Sequence, residues 1–164
     1  AARLGVDSTF FSMQRGYIAR QLGNAAEAER HFLAVLEKSP SHFEAMNQLA
    51  LVLCQSDDAD AQRRAMQLAQ LNLRRFPTSS HALSTFGWVS FNVGRKKEAV
   101  DALQLAVTRA DVRSETFYYY ARVLWDLQRK DEARVVAERV KAAVDEPGLF
   151  VLRPEAKVWV ATVL

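Results

Sequence analysis

Apolar positions along this chain return at three- and four-residue intervals, the spacing of amphipathic helices rather than the two-residue alternation of strands. Residues 80–110 show the pattern most clearly. Leu83, Phe86 and Gly87 share one stripe, Gly94 interrupts it, and Ala99, Leu103 and Ala106 form a second. The stretch predicts two helices hinged at Gly94, with small side chains at Gly87, Ala99 and Ala106 on their facing sides.

The same skeleton recurs before and after it. Gly16, Ala50, Gly87 and Ala121 lie 34, 37 and 34 residues apart, and Ala28, Ala65, Ala99 and Ala133 lie 37, 34 and 34 apart. Pro40 and Pro77 are also 37 apart. One three-residue insertion near residues 56–60 accounts for each departure from 34, either as an extra helical turn or as a longer loop. A small residue on each of two helices lets their backbones approach while larger neighbours fill the grooves. A single hairpin cannot hide its apolar stripe, so successive hairpins must stack.

Local signals punctuate the units. Gly23 suits a left-handed helix stop. Asn24 with Glu27 and Ser41 with Glu44 read as capping boxes. Asp57, Asp58 and Asp60 suit the positive start of the helix after the insertion, as Glu27, Glu98 and Glu132 suit theirs. Asp131 reads as an N-cap, and Gln128 stands where the first and third hairpins carry a turn glycine. Asn72 falls on an apolar stripe and needs hydrogen-bond partners if buried. Arg15 is a polar residue on a seam. Residues 1–5 read as the tail of an earlier helix, and an apolar C-terminus ending at Leu164 adds to the expectation of a longer parent protein. Pro154 is placed to open a final helix, with Val158, Trp159 and Val163 covering the end of the stack.

A period of 34 with this arrangement of small residues resembles the tetratricopeptide repeat family. The resemblance covers residues 9–145 and implies an all-α fold: a right-handed α-α superhelix of about four hairpins with a C-terminal capping helix. The expected units are 9–42, 43–79, 80–113 and 114–147, preceded by a tail at 1–8 and followed by a cap at 148–164. Ser12 and Arg15 depart from the family pattern, as do Ser90 and Gln128. The neighbouring alternative is the pentatricopeptide array, with a period of 35, which reads RNA.

In the tetratricopeptide family the leading helices line a concave groove that receives a peptide or partner helix. Counting from each small residue, the resemblance implies a partner-binding groove with Tyr17 in the first unit and Asn47, Leu51 and Gln55 in the second. The third contributes Ser84, Trp88, Phe91 and Asn92, and the fourth Tyr118, Arg122 and Trp125. The aromatics supply burial, and Asn47, Gln55 and Asn92 can grip a peptide backbone. The clamp by which chaperone-binding members hold a terminal carboxylate is missing: neither frame places the required cations, offering Met13, Tyr17, Gln48, His81 and Thr85, or Asn47, Leu51, Thr85, Glu115 and Tyr119.

Composition narrows the function classes further. The chain of 164 residues has 22 Lys and Arg against 19 Asp and Glu, and basic groups such as Arg95-Lys96-Lys97 and Arg129-Lys130 are interleaved with acids. That balance argues for solvated faces over a nucleic-acid footprint. The lone Cys54 excludes an intrachain disulfide and reads as a small packing residue. His31, His42 and His81 fall on different hairpins without ligand spacing, and no phosphate-binding glycine loop, cofactor motif or catalytic set is present. No apolar run nears the ~20 residues of a membrane span. The expectation is a non-enzymatic protein–protein interaction module without metal or cofactor. Self-assembly of a scaffold through the stack's ends is the alternative, and RNA binding a weaker one.

Overall fold

The computed structural model describes residues 8–145 and 151–164. The expected helix tail at residues 1–5 and the expected boundary between the fourth unit and the cap, at 147–148, lie outside them. The described residues form nine α-helices and no strand: α1 (Ser8–Gln21), α2 (Ala25–Lys38), α3 (Phe43–Leu53), α4 (Ala59–Arg75), α5 (Ser80–Asn92), α6 (Lys96–Ala106), α7 (Ser114–Asp126), α8 (Lys130–Ala143) and α9 (Arg153–Val163). Consecutive helices pack as hairpins, each hairpin packs on the next, and α5 also touches α3 on one side and α7 on the other as an inner layer.

Close approach within the hairpins has a measurable basis. A Cβ added to Gly16 would fall 2.5 Å from Phe32 Cε1, and one added to Gly87 would fall 2.6 Å from Leu103 Cγ and 3.2 Å from the Ala99 carbonyl oxygen. Phe32 and Leu103 each lie four residues after the small alanine of their own helix. In the second and fourth hairpins the corresponding residues are Ala69 and Ala137, and there the small residue of the leading helix is Ala50 or Ala121. All four of these alanines are buried. Glycine therefore faces a large side chain, and where the leading helix carries alanine the corresponding position on the second helix is alanine too.

Three hairpin turns share one geometry. Gly23 (φ 73°), Gly94 (φ 83°) and Gln128 (φ 61°) occupy the left-handed region. The residue after each donates its N–H five residues back: Asn24 to Ala19 O at 2.8 Å, Arg95 to Ser90 O at 2.8 Å, Arg129 to Leu124 O at 3.0 Å. This is the Schellman stop, and Gln128 adopts it without glycine's freedom.

The insertion resolves as helix. α2, α4, α6 and α8 all start nine residues after the small residue of the preceding helix, but Ala65 sits six residues into α4, whereas Ala28, Ala99 and Ala133 sit three into theirs. The extra residues are one added turn at the start of α4, which Asp58 caps by accepting from the N–H groups of Asp60 and Ala61, each at 3.2 Å.

Other caps differ from expectation. Asn24 does cap α2, accepting from Glu27 N at 3.2 Å. The expected cap Ser41 is displaced by His42, whose Nδ1 accepts from Ala45 N at 3.2 Å, which frees Glu44 to point inward. Asp131 lies inside α8 rather than capping it; Arg129 holds the N-cap position without a side-chain bond. Pro154 does sit in the first turn of α9. Val163 and the half-buried Trp159 face inward as expected, but Val158 is 71% exposed; Ala156 and Val160 take the packing role instead.

Candidate functional site

The inner layer is filled by the chain itself over most of its length. Arg20 on α1 donates from Nη1 to Gln48 Oε1 at 2.7 Å and from Nη2 to Tyr119 Oη at 3.0 Å, and its Nη2 lies 3.4 Å from Glu115 Oε1. A side chain of the first hairpin thus meets the fourth, so the leading helices bend far enough toward one another to close the space between them. Burial alone would lower the Arg20 pKa, but Tyr119 and Glu115 beside it outweigh that and hold it raised. Trp88 stacks on Tyr119 (centroids 4.5 Å, planes 15° apart) and on Phe91 (5.6 Å, 28°), completing the plug.

A second set of contacts borders it. Glu44 accepts from Tyr17 Oη and from Gln48 Nε2 at 3.0 Å, and pairs with His81 Nδ1 at 3.2 Å and Arg113 Nη1 at 3.3 Å. Burial would raise the Glu44 carboxyl, yet the hydrogen bonds from His81 and Tyr17 and the charges of His81 and Arg113 hold it well below the usual carboxylate range. Asn72 finds partners for its amide nitrogen, Nδ2 donating to Phe43 O at 2.9 Å and Asn47 Oδ1 at 3.0 Å, whereas its buried Oδ1 accepts no hydrogen bond from the described residues. Cys54 is buried, and burial pushes its thiol up to about 12, which leaves it a packing residue.

These contacts correct the expected groove surface. Asn47, Leu51, Ser84, Trp88 and Tyr118 are all buried rather than displayed. Counting from the small residues gives the direction of each side chain, but not how closely α1 and α7 converge, and that convergence consumes the groove. Tyr17, Phe91 and Asn92 are half-buried and Gln55 is exposed. Tyr17 is bound to Glu44, and Asn92 Nδ2 donates to Trp88 O at 2.8 Å.

The remaining two expected residues, Arg122 and Trp125, come together with the buried Tyr118 at an open cleft. Tyr118, Arg122 and Trp125 follow one another at successive turns of α7 and face Val158, Trp159 and Thr162 of α9 across a space of about 660 Å³. Tyr118 and Trp125 stand edge-on to Trp159, with centroids 5.9 and 6.2 Å away and planes 79° and 88° apart. The Arg122 guanidinium lies 5.7 Å from the Tyr118 centroid and 5.9 Å from that of Trp159, and its Nη1 donates to Tyr118 Oη at 2.8 Å. Burial raises the Tyr118 pKa, partly offset by Arg122. Behind Trp125, Lys130 Nζ and Arg134 Cζ sit 5.3 and 5.6 Å from its centroid. Trp159 and Val158 belong to this wall, although their spacing pointed only to a cap. The signal for Trp159 was its place on a helix packed beside a leading helix.

The cleft can bury apolar groups and hydrogen-bond an anion. Among the described residues no group of His, Cys, Asp or Glu is placed to hold a metal, and no helix is long and apolar enough to cross a membrane. Basic turn residues are largely spent locally: Arg95 pairs with Glu98, Lys96 with Asp126 and Arg129 with Glu132.

Comparison with known proteins places this geometry. The family model described as tetratricopeptide repeat matches residues 13–80. Residues 13–80 therefore carry the tetratricopeptide repeat. The fold of the chain is similar to that of MamA (TM-score 0.53, 22% identity, 96% of this chain and 86% of that one). It is also similar to a thermophilic TPR protein from Thermus thermophilus (TM-score 0.58, 17% identity, 94% and 98%). A third likeness is to an O-GlcNAc transferase from Thermobaculum terrenum (TM-score 0.67, 15% identity, 87% of this chain), of which the match spans only 27%. No curated protein matches. The family supports a protein-interaction role in general.

Proposed function

We propose that this tetratricopeptide array is a non-catalytic interaction module that takes up a segment of a partner protein in the α7–α9 cleft. The observation that carries the reading is the contrast along the inner face. Arg20, Trp88 and Tyr119 fill its middle, whereas Arg122, Trp125 and Trp159 border open space. A pre-formed aromatic cleft binds without paying to order its own side chains first.

A photocrosslinking benzoylphenylalanine in place of Val158 reports directly on that space. The same replacement of Val135, 74% exposed on α8, is the control, since Val158 is 71% exposed. Discrete partner adducts from position 158 that disappear in Trp125→Ala are expected. Equal labelling at the two positions would overturn the reading.

Self-association is a second reading, favoured by one observation. Phe11 (47% exposed), Ile18 (56%) and Leu22 (77%) form an apolar stripe along α1 and the turn after it, interrupted by the exposed Arg15. Light scattering decides it: a dimer that Ile18→Asp dissociates supports it, and the mass of one chain at every concentration removes it.

A further inference from the structure

We propose, resting on the α7–α9 cleft as the docking position, that its occupant is an internal segment of a partner protein carrying an Asp or Glu flanked on both sides by large apolar residues.

The cation comes first. Arg122 sits half-buried at the centre of the cleft, donates to Tyr118 Oη at 2.8 Å, and makes no ion pair with a described carboxylate. The rest of its guanidinium fork is therefore available, and that fork matches the two oxygens of a carboxylate. The cleft's own acid, Glu155, is exposed in the first turn of α9, where the helix N-terminus offsets its charge. Lys130 and Arg134 add positive charge behind Trp125, Arg134 being paired with Asp131. The balance around Arg122 favours an anion.

The flanks say which kind. Trp125 lies nearly one turn after Arg122 and stays half-buried, and on the other side of the cation, one turn before it, the edge of the buried Tyr118 and the exposed Pro154 continue the apolar lining. Val158 and Trp159 supply an uncharged opposite wall. A segment that seats its carboxylate on Arg122 meets apolar surface in both directions. A chain terminus placed there would leave one flank empty.

Selection from a displayed random 12-residue peptide library tests this, with counter-selection on the Trp125→Ala/Trp159→Ala double variant to retain cleft binders. Selected sequences are then measured as amidated peptides. The expected result is enrichment of Asp or Glu between apolar residues, with binding weakened about tenfold or more by Arg122→Gln and less by Arg122→Lys. Replacing the peptide's acid by its amide should cause the same loss in the wild type and none further in Arg122→Gln. Thermal melts confirm that each variant is folded. Cleft binders without an acid, binders rich in Lys or methylated ammonium groups, or indifference to Arg122→Gln would overturn the acidic occupant while leaving the docking position standing. No enrichment over the double variant would overturn both.

Discussion

At the residue scale, hairpin packing rests on which side chains two facing positions can fit between the helices. Gly87 has no room for a methyl group because Leu103, itself fully buried, occupies it. Gly87→Ala should destabilise the protein by about 1–3 kcal/mol through overpacking. Leu103→Ala should cost about 2–5 kcal/mol through the cavity it leaves. The double variant rebuilds the alanine-with-alanine arrangement already present at Ala50 with Ala69 and at Ala121 with Ala137. Its cost should fall below the sum of the singles, with a coupling on the order of 1 kcal/mol or more. Urea denaturation of the four proteins checks this; strict additivity would mean that the two side chains do not compete for one space. The recurrence of small residues was legible from spacing. Their matching with Phe32 and Leu103 was not, because nothing in a period says which side chain on the second helix fills the space.

At the element scale, the helices start and stop where local chemistry dictates. The turn after α7 carries the same Schellman bonds as the turns after α1 and α5, yet places Gln128 at φ 61°. A non-glycine residue in the left-handed region costs about 1–2 kcal/mol, partly offset in a Gly variant by the greater freedom of its unfolded chain. Gln128→Gly should therefore stabilise the protein by about 1 kcal/mol, seen as a higher melting temperature. A fall would show that the Gln side chain supports the turn. The three added residues were legible as an insertion but not as a turn of α4, since acids near residues 56–60 suit a helix start and a loop alike. The cap on α3 was misplaced by one residue, from Ser41 to His42. That single step redirects Glu44 from a cap into the interior.

At the scale of the whole molecule, the inner face is closed by polar side chains that join distant hairpins. Arg20→Ala would leave Glu115 and the Tyr119 hydroxyl without their buried partner. A loss of about 3–5 kcal/mol is expected, against less than about 0.5 kcal/mol for Arg30→Ala on the exposed side. Urea midpoints measure both, and equal small effects would show that the bridge contributes nothing. Glu44 gives a pH signature. Its folded pKa is depressed, so it adds stability that is fully present above its unfolded value of about 4.3 and is lost as pH falls toward the folded one. The melting temperature should fall from about pH 5 downward. In Glu44→Gln it should start lower and fall less steeply; an unchanged slope would assign acid sensitivity to other carboxylates.

The amino-acid sequence by itself determined the helices, the hairpin period, most turns and the resemblance to the tetratricopeptide family, because these depend on neighbours within about one repeat. It also placed Tyr118, Arg122 and Trp125 on one stripe of α7. Only the tertiary structure decided which expected groove residues remain accessible. Whether Arg20 reaches Tyr119, 99 residues away, depends on small rotations accumulated over successive hairpins. No spacing within a repeat encodes that sum. It buries Trp88 and Leu51 in the chain's own interior and leaves Arg122 and Trp125 at the edge of open space.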